Sequence, residues 1–217
     1  NGVGTNTNTL EFLYTVQSGD INPDLDYVAT TSLGLNGGEI KDRAGNAAVL
    51  TLPAPGGAGS LSFNNTVNVD GVIPTITNVT SALANGTYGE GQVVDVLVTF
   101  SEDVNLNTAG GTPFIIMNTN PAQNAVYELL SYDNVTFTAT FNYTVVNGDY
   151  SADLDYASNA AFNLNGAVIA DAAGNNANTT LPDPGETGSL GANKNIVIDA
   201  VLPAVSSVTS STANGLY

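Results

Sequence analysis

Carboxylates are the side chains whose number and spacing could do chemistry in this sequence. Twenty acidic residues face three basic ones, a formal net charge of −17. Asp24-Leu25-Asp26-Tyr27 recurs as Asp153-Leu154-Asp155-Tyr156, Glu102 stands beside Asp103, and Asp171-Ala172-Ala173-Gly174-Asn175 repeats the pattern of Asp42–Asn46. Such groups can hold a hard cation or act as a glycosidase pair. The chain contains no His and no Cys. Their absence excludes thiol nucleophiles, Ser-His-Asp triads, disulfides and Cys/His metal sites. Lys41, Arg43 and Lys194 cannot form the positive footprint that nucleic acid needs, nor one for an anionic membrane surface. Catalysis is not expected, because the acidic motifs are copied with constant spacing, as in a scaffold. Isopeptide crosslinking is disfavoured, since Lys41 aligns with Ala170 and Lys194 with Asn65.

The copying is measurable. A shift of 129 residues superimposes the chain on itself without a gap, with 40 identities over the 88 overlapping positions (217 − 129). A period of this kind marks a tandem array. Asp70–Pro74 and Asp199–Pro203 follow β-rich runs and end in proline, which cannot donate to a strand ladder. The expected organisation is the back part of one repeat (1–69), a linker (70–74), a complete repeat (75–199), a linker (200–203) and the first strand of a third repeat (204–217). The sequence is therefore expected to be cut from a longer protein. No apolar run is long enough to span a membrane, and direct membrane insertion is not expected.

Alternating and β-branched runs predict strands at 75–81, 92–101, 113–118, 125–132, 135–145, 154–157, 167–170 and 195–199. Residues 160–164 suit a strand or a helical turn. Over 135–145, Val135, Phe137, Ala139, Phe141 and Tyr143 are expected to share one face. Asn147-Gly148 predicts a tight turn. The expected fold is all-β, an immunoglobulin-like Greek-key sandwich, with surplus chain near 182–193.

Placed on that plan, Glu90, Asp149, Asp153 and Asp155 fall at the end where the last strand exits, beside linker residue Asp199. At the other end Glu102, Asp103 and Asp171 meet the incoming linker residue Asp70. The junction within this sequence would gather Asp24, Asp26, Asp70, Glu102, Asp103 and Asp171. Crowded carboxylates repel unless a cation sits among them, and calcium is the expected ion. Turn and strand-end roles remain the competing reading for each motif, since Asp, Asn and Gly all suit turns.

The phrases Thr99-Phe100-Ser101-Glu102-Asp103, Asp153-Leu154-Asp155-Tyr156, Asp171–Asn175 and Ile196-Val197-Ile198-Asp199 resemble those of tandem immunoglobulin-like repeats in giant bacterial surface proteins and adhesins. The resemblance covers essentially the whole chain. It implies calcium at domain junctions, as in the similar cadherins. Asp70 and Asp199 would be linker ligands, Glu90, Asp153 and Asp155 ligands from the upstream repeat, and Glu102, Asp103 and Asp171 from the downstream one. Unlike a cadherin linker, this one carries a single Asp. The implied protein is a structural extender segment of an extracellular, cell-surface adhesin or stalk. The alternatives are a subunit of a self-assembling filament, sheath or S-layer whose copies pack laterally, and a glycan-binding module using Tyr88, Tyr132 and Tyr150. Asn-x-Thr sequons stand at Asn64, Asn78, Asn85, Asn134, Asn142 and Asn178; chance in a chain rich in Asn and Thr and glycosylation by a host that performs it are the two readings.

Overall fold

The computed structural model describes residues 8–129, 131–212 and 214–216. The chain divides into two units, Asn1–Ile73 and Pro74–Tyr217. Strands dominate the second unit, and the two helices among the described residues have four residues each. No described helix is long and apolar enough to cross a membrane.

The first unit holds β1 (Ile21–Asn22), α1 (Leu61–Asn64) and β2 (Val69–Asp70). β1 and β2 pair antiparallel, Ile21 opposite Asp70. The rest of its described chain consists of turns and extended segments held by hydrogen bonds. Tyr27 donates its hydroxyl to Pro53 O at 2.7 Å, and Leu25 donates its N–H to Val67 O at 2.8 Å.

The second unit runs β3 (Ile76–Thr80), β4 (Gly86–Tyr88), β5 (Val93–Phe100), β6 (Asn105–Asn107), β7 (Phe114–Ile116), β8 (Asn124–Tyr127), β9 (Thr138–Thr144), β10 (Tyr150–Ser151), β11 (Phe162–Asn163), β12 (Val168–Ala170), α2 (Leu190–Asn193) and β13 (Ile196–Asp199). A six-stranded sheet has the order β11-β7-β8-β9-β5-β3, a three-stranded sheet the order β10-β13-β4, and β12 pairs with β6. The β13–β4 pair is parallel and the other pairs are antiparallel.

β5 shows why the large sheet forms. Its sequence alternates, so Val94, Val96, Val98 and Phe100 point inward while Asp95, Leu97 and Thr99 are only half-covered. β9 answers in register, with Val96 opposite Phe141 and Val94 opposite Tyr143. Ile196 and Ile198 of the smaller sheet join the same apolar cluster, so one core is shared by both sheets. At its centre Phe141 meets Phe162 edge-on at 5.3 Å and Tyr127 at 5.6 Å.

Three sequence expectations are corrected. β9 begins at Thr138, not at 135. Asp133 accepts the Val135 N–H and the Thr136 hydroxyl, and this closes a turn that leaves Val135 exposed and gives Phe137 a φ of 53°. The strand expected at 154–157 is replaced by β10, because Asp155 turns its carboxylate back onto the Tyr156 N–H and Tyr156 keeps only an isolated bridge to Met117. The strand expected at 125–132 stops at Tyr127. The surplus chain near 182–193 contains a helical turn, α2, where Ser189 caps by accepting the Ala192 N–H at 3.1 Å. The described residues of 204–216 enter no ladder and are exposed.

Candidate metal centre

Two loops of the second unit meet at the end where the chain enters it. The first leaves β5 through Ser101, Glu102 and Asp103. Ser101 donates its N–H to Thr75 O at 2.8 Å, which fixes the loop to the entering chain. Tyr132 fixes its other side. The Tyr132 hydroxyl accepts the Val104 N–H and donates to Asp103 Oδ1, both at 2.9 Å. Burial and the Asp103 carboxylate outweigh the Val104 contact and push this hydroxyl up to about 12.

The second loop follows β12. Because Asn105 of β6 pairs with Ala170 of β12, Asp171 emerges beside the residues that follow β5. Asp171 is buried. Its Oδ1 accepts the Asn175 N–H at 2.8 Å and its Oδ2 accepts Asn175 Nδ2 at 2.7 Å. Gly174, with φ 93°, supplies the left-handed residue that this tight turn requires. Burial pushes the Asp171 carboxyl up, but the hydrogen bonds from Asn175, Gly174 and Ala173 outweigh it and hold the group below its ordinary value of 3.8.

Glu102 and Asp171 each offer a carboxylate oxygen, and the two lie within 4.8 Å. Oε1 of Glu102 is shielded from solvent. Two oxygens bound to one calcium ion at ~2.4 Å can stand at most ~4.8 Å apart, so this spacing suits a shared hard cation. An open groove of about 660 Å³ runs alongside, with Asp103, Asn105, Tyr132 and Asp171 in its walls.

The other sequence-chosen carboxylates of the second unit, Glu90, Asp153, Asp155 and Asp199, are dispersed. Glu90 lies at the far end of β5, a strand of eight residues, or about 27 Å. There it is exposed and accepts Asn147 Nδ2 at 3.3 Å. Asp199 pairs with Tyr150 at that end and accepts the Val201 N–H at 3.2 Å. Asp153 is exposed, and Asp155 is buried under the 183–191 loop, where Oδ2 accepts the Gly185 N–H at 2.9 Å. Leu154 bonds Ile196, three residues and about 10 Å back from Asp199, so these acids do not assemble around the exit residue. In the first unit Asp24 is exposed, and Asp26 Oδ2 accepts from Gly56 N at 3.0 Å and Ser62 Oγ at 2.6 Å. Burial opposes these bonds without overcoming them, so the Asp26 carboxyl is held well below the carboxylate range. Asp70 closes β2, half-buried, and accepts the Val72 N–H at 3.0 Å.

One acid that the sequence places at the exit end without choosing it as a ligand is central to the second unit. Asp149 is fully buried and accepts the Tyr143 hydroxyl at 2.6 Å, the Val146 N–H at 2.9 Å and Gln123 Nε2 at 2.9 Å. The available signal was the pair Tyr143/Asp149, which recurs at the same spacing as Tyr14/Asp20.

The depressed Asp171 carboxyl makes stability pH-dependent. A group whose folded value is lowered gives full stabilisation above its unfolded value, here 3.8, and loses it as pH falls through the folded value. Urea midpoints followed from neutral pH down to about pH 2.5 are therefore expected to fall more steeply for the parent chain than for D171N. Parallel curves would show that the turn is indifferent to this charge.

Compared with protein-family models, curated proteins and solved structures, the chain matches no family model, no curated protein and no solved structure.

Proposed function

We propose that the chain is a segment of a long extracellular stalk, built from tandem immunoglobulin-like repeats and stiffened by calcium where one repeat meets the next. Strand order supports the fold reading. β3-β5-β9-β8 follow one another as A, B, E and D do in an immunoglobulin sandwich, and β10-β13 follow as F and G. The stretch after β7 bridges from Met117 to Tyr156 and from Asn120 to Tyr150, as strand C pairs with F. Geometry that recurs at the 129-residue shift supports tandem copying. Ile21 opposite Asp70 matches Tyr150 opposite Asp199, the Tyr27–Pro53 bond matches Tyr156–Pro182, and Lys41 opposite Ala47 matches Ala170 opposite Asn176.

The observation that carries the calcium reading is the approach of Glu102 and Asp171 at the entry end of the second unit. Asn178 donates to Pro74 O and Ser101 to Thr75 O, so the incoming chain is fastened between the two loops. Asp70 lies four residues before Pro74, within about 14 Å of it even on a fully extended chain. It is the linker carboxylate that would complete the site. Calcium takes 6–8 oxygens, so carbonyls and water would supply the rest, with a dissociation constant on the order of 10⁻⁴–10⁻³ M. The adhesin extender and the lateral filament or S-layer share this unit. Electron micrographs separate them, isolated strings marking the first and regular lateral order the second. A glycan-binding reading has Tyr132 in the wall of the groove in its favour, although its hydroxyl is already committed to Asp103 and Val104. No catalytic role is proposed for the carboxylates.

Calcium titration during thermal melting tests the reading. At tenfold excess over its dissociation constant, the ion is expected to add about 1.4 kcal/mol, and D171N should abolish the gain. Melting curves that coincide with and without calcium would defeat it.

A further inference from the structure

Five of the Asn-x-Thr sequons lie in the second unit, and the fold sets one of them apart. Asn78 sits in β3 opposite Thr99 and accepts Asn193 Nδ2 at 2.8 Å. Asn142 sits in β9 between Asp95 and Val126 and donates Nδ2 to Glu128 Oε2 at 3.1 Å. Asn85 Oδ1 accepts the Asn195 N–H at 3.0 Å, and Thr87 of the same sequon pairs with Val197. Asn178 bridges to Thr75, and its Oδ1 accepts the Thr180 N–H at 3.0 Å. Asn134 has none of these ties. It opens the tip 134–137, which Asp133 and Thr138 close by exchanging backbone bonds of 2.9 and 3.0 Å. Asn134, Val135 and Thr136 are all exposed, and the Asn134 side-chain amide has no hydrogen bond among the described residues. The Thr136 hydroxyl is held only at the surface, by Asp133 Oδ2 at 2.9 Å.

We propose that Asn134 is the N-glycosylation site of the second unit, and that the neutral oligosaccharide it carries lies along the adjoining groove. The inference rests on the extracellular part of the functional reading and not on calcium. The donor is an oligosaccharide on a polyprenyl diphosphate, delivered by a transferase that reads Asn-x-Thr. A bond forms between Asn134 Nδ2 and C1 of the first sugar while the bond from C1 to the diphosphate oxygen breaks. The polyprenyl diphosphate leaves with the electron pair, and one amide proton passes to a base on the transferase. The reaction needs an amide nitrogen without a competing bond and a backbone that can bend into the enzyme. A hairpin tip offers both, and a strand ladder offers neither. The groove then receives the product. Asn134 stands in its wall with Leu106, Thr108, Leu129 and Tyr132. Leu129 is 61% exposed and Val135 82%, so a sugar rooted at Asn134 covers apolar surface that the chain leaves open. Asp103 and Asp171 in the same walls repel acidic sugars, which selects a neutral oligosaccharide.

The full native chain, in chelator, is incubated with a purified oligosaccharyltransferase that requires only Asn-x-Thr and with its lipid-linked donor. Short peptides spanning each sequon serve as unfolded controls. Site mapping by mass spectrometry is expected to find Asn134 modified about tenfold or more faster than Asn78, Asn85, Asn142 and Asn178, because those four must first open locally. The five peptides should react at similar rates. N134Q and T136A should each leave the second unit unmodified, while T136S keeps the transfer. In the modified chain, nuclear Overhauser contacts are expected between sugar protons and the Leu106 and Leu129 methyls. Transfer spread evenly over the five sequons, or none at Asn134, would overturn the site. Sugar protons without contacts to Leu106 or Leu129 would overturn the groove as its resting place. Enzyme and donor are supplied, so a wrong cellular location cannot produce either failure, and chelator removes calcium from every outcome.

Discussion

Phe141→Ala is expected to lower the stability of the second unit by about 3–5 kcal/mol, the range for a large aromatic removed from a packed core. Phe141 is fully buried, sits between Tyr127 and Phe162, and stands opposite Val96. Its loss empties the place where β5, β8, β9 and β11 converge, and the stiff β-branched residues around it can fill the void only in part. Denaturant melts followed by tyrosine fluorescence would measure the change. A loss below ~1 kcal/mol would mean that the core collapses freely and is not the rigid layer described above.

Gly111→Ala is expected to cost about 3 kcal/mol, the upper end for overpacking. A Cβ at Gly111 would lie 1.8 Å from Asn165 O, and one at Gly110 2.2 Å from Gly166 O. Both obstacles are backbone, so neither can swing aside. The glycines let the loop before β7 press directly on the Asn165-Gly166 turn that joins β11 to β12. β12 in turn carries Asp171 at its end. The substitution should therefore weaken the acidic site from a distance. Paired with urea melts, calcium titration of this variant should show reduced stability and a lost calcium response together. Wild-type stability would show that the loop moves off the turn at no cost.

The sequence was most legible where one physical signal dominated. The alternation of β5, expected at 92–101, placed its ends to within a residue of Val93–Phe100, because half-buried strands need a period of two. Local side-chain chemistry set the limits. Val135 and Phe137 continue the alternation of β9 on paper, yet Asp133 captures the chain in a turn before the ladder begins. β6 and β10 have two or three residues and little apolar signal, and they exist because Ala170 and Asp199 lie opposite them. For the site, the sequence indicated which acids recur and not how their oxygens are used. Asp26 and Asp155 spend theirs on backbone N–H groups of distant loops, contacts that spacing along the chain does not encode. Glu102 and Asp171 approach each other because β6 pairs with β12, a long-range register.

The parallel pair formed by β4 and β13 has a mechanical consequence. The chain enters the second unit just before β3, turns along β4, and leaves at the end of β13, with Gly86, Thr87 and Tyr88 opposite Ile196, Val197 and Ile198. Tension applied through the two linkers would pull the start of the first strand and the finish of the last in opposite directions. The bonds between β4 and β13 would then be loaded sideways and all at once, in shear, instead of opening one after another like a zipper. A unit wired in this way resists stretching most strongly along the line that joins its two ends.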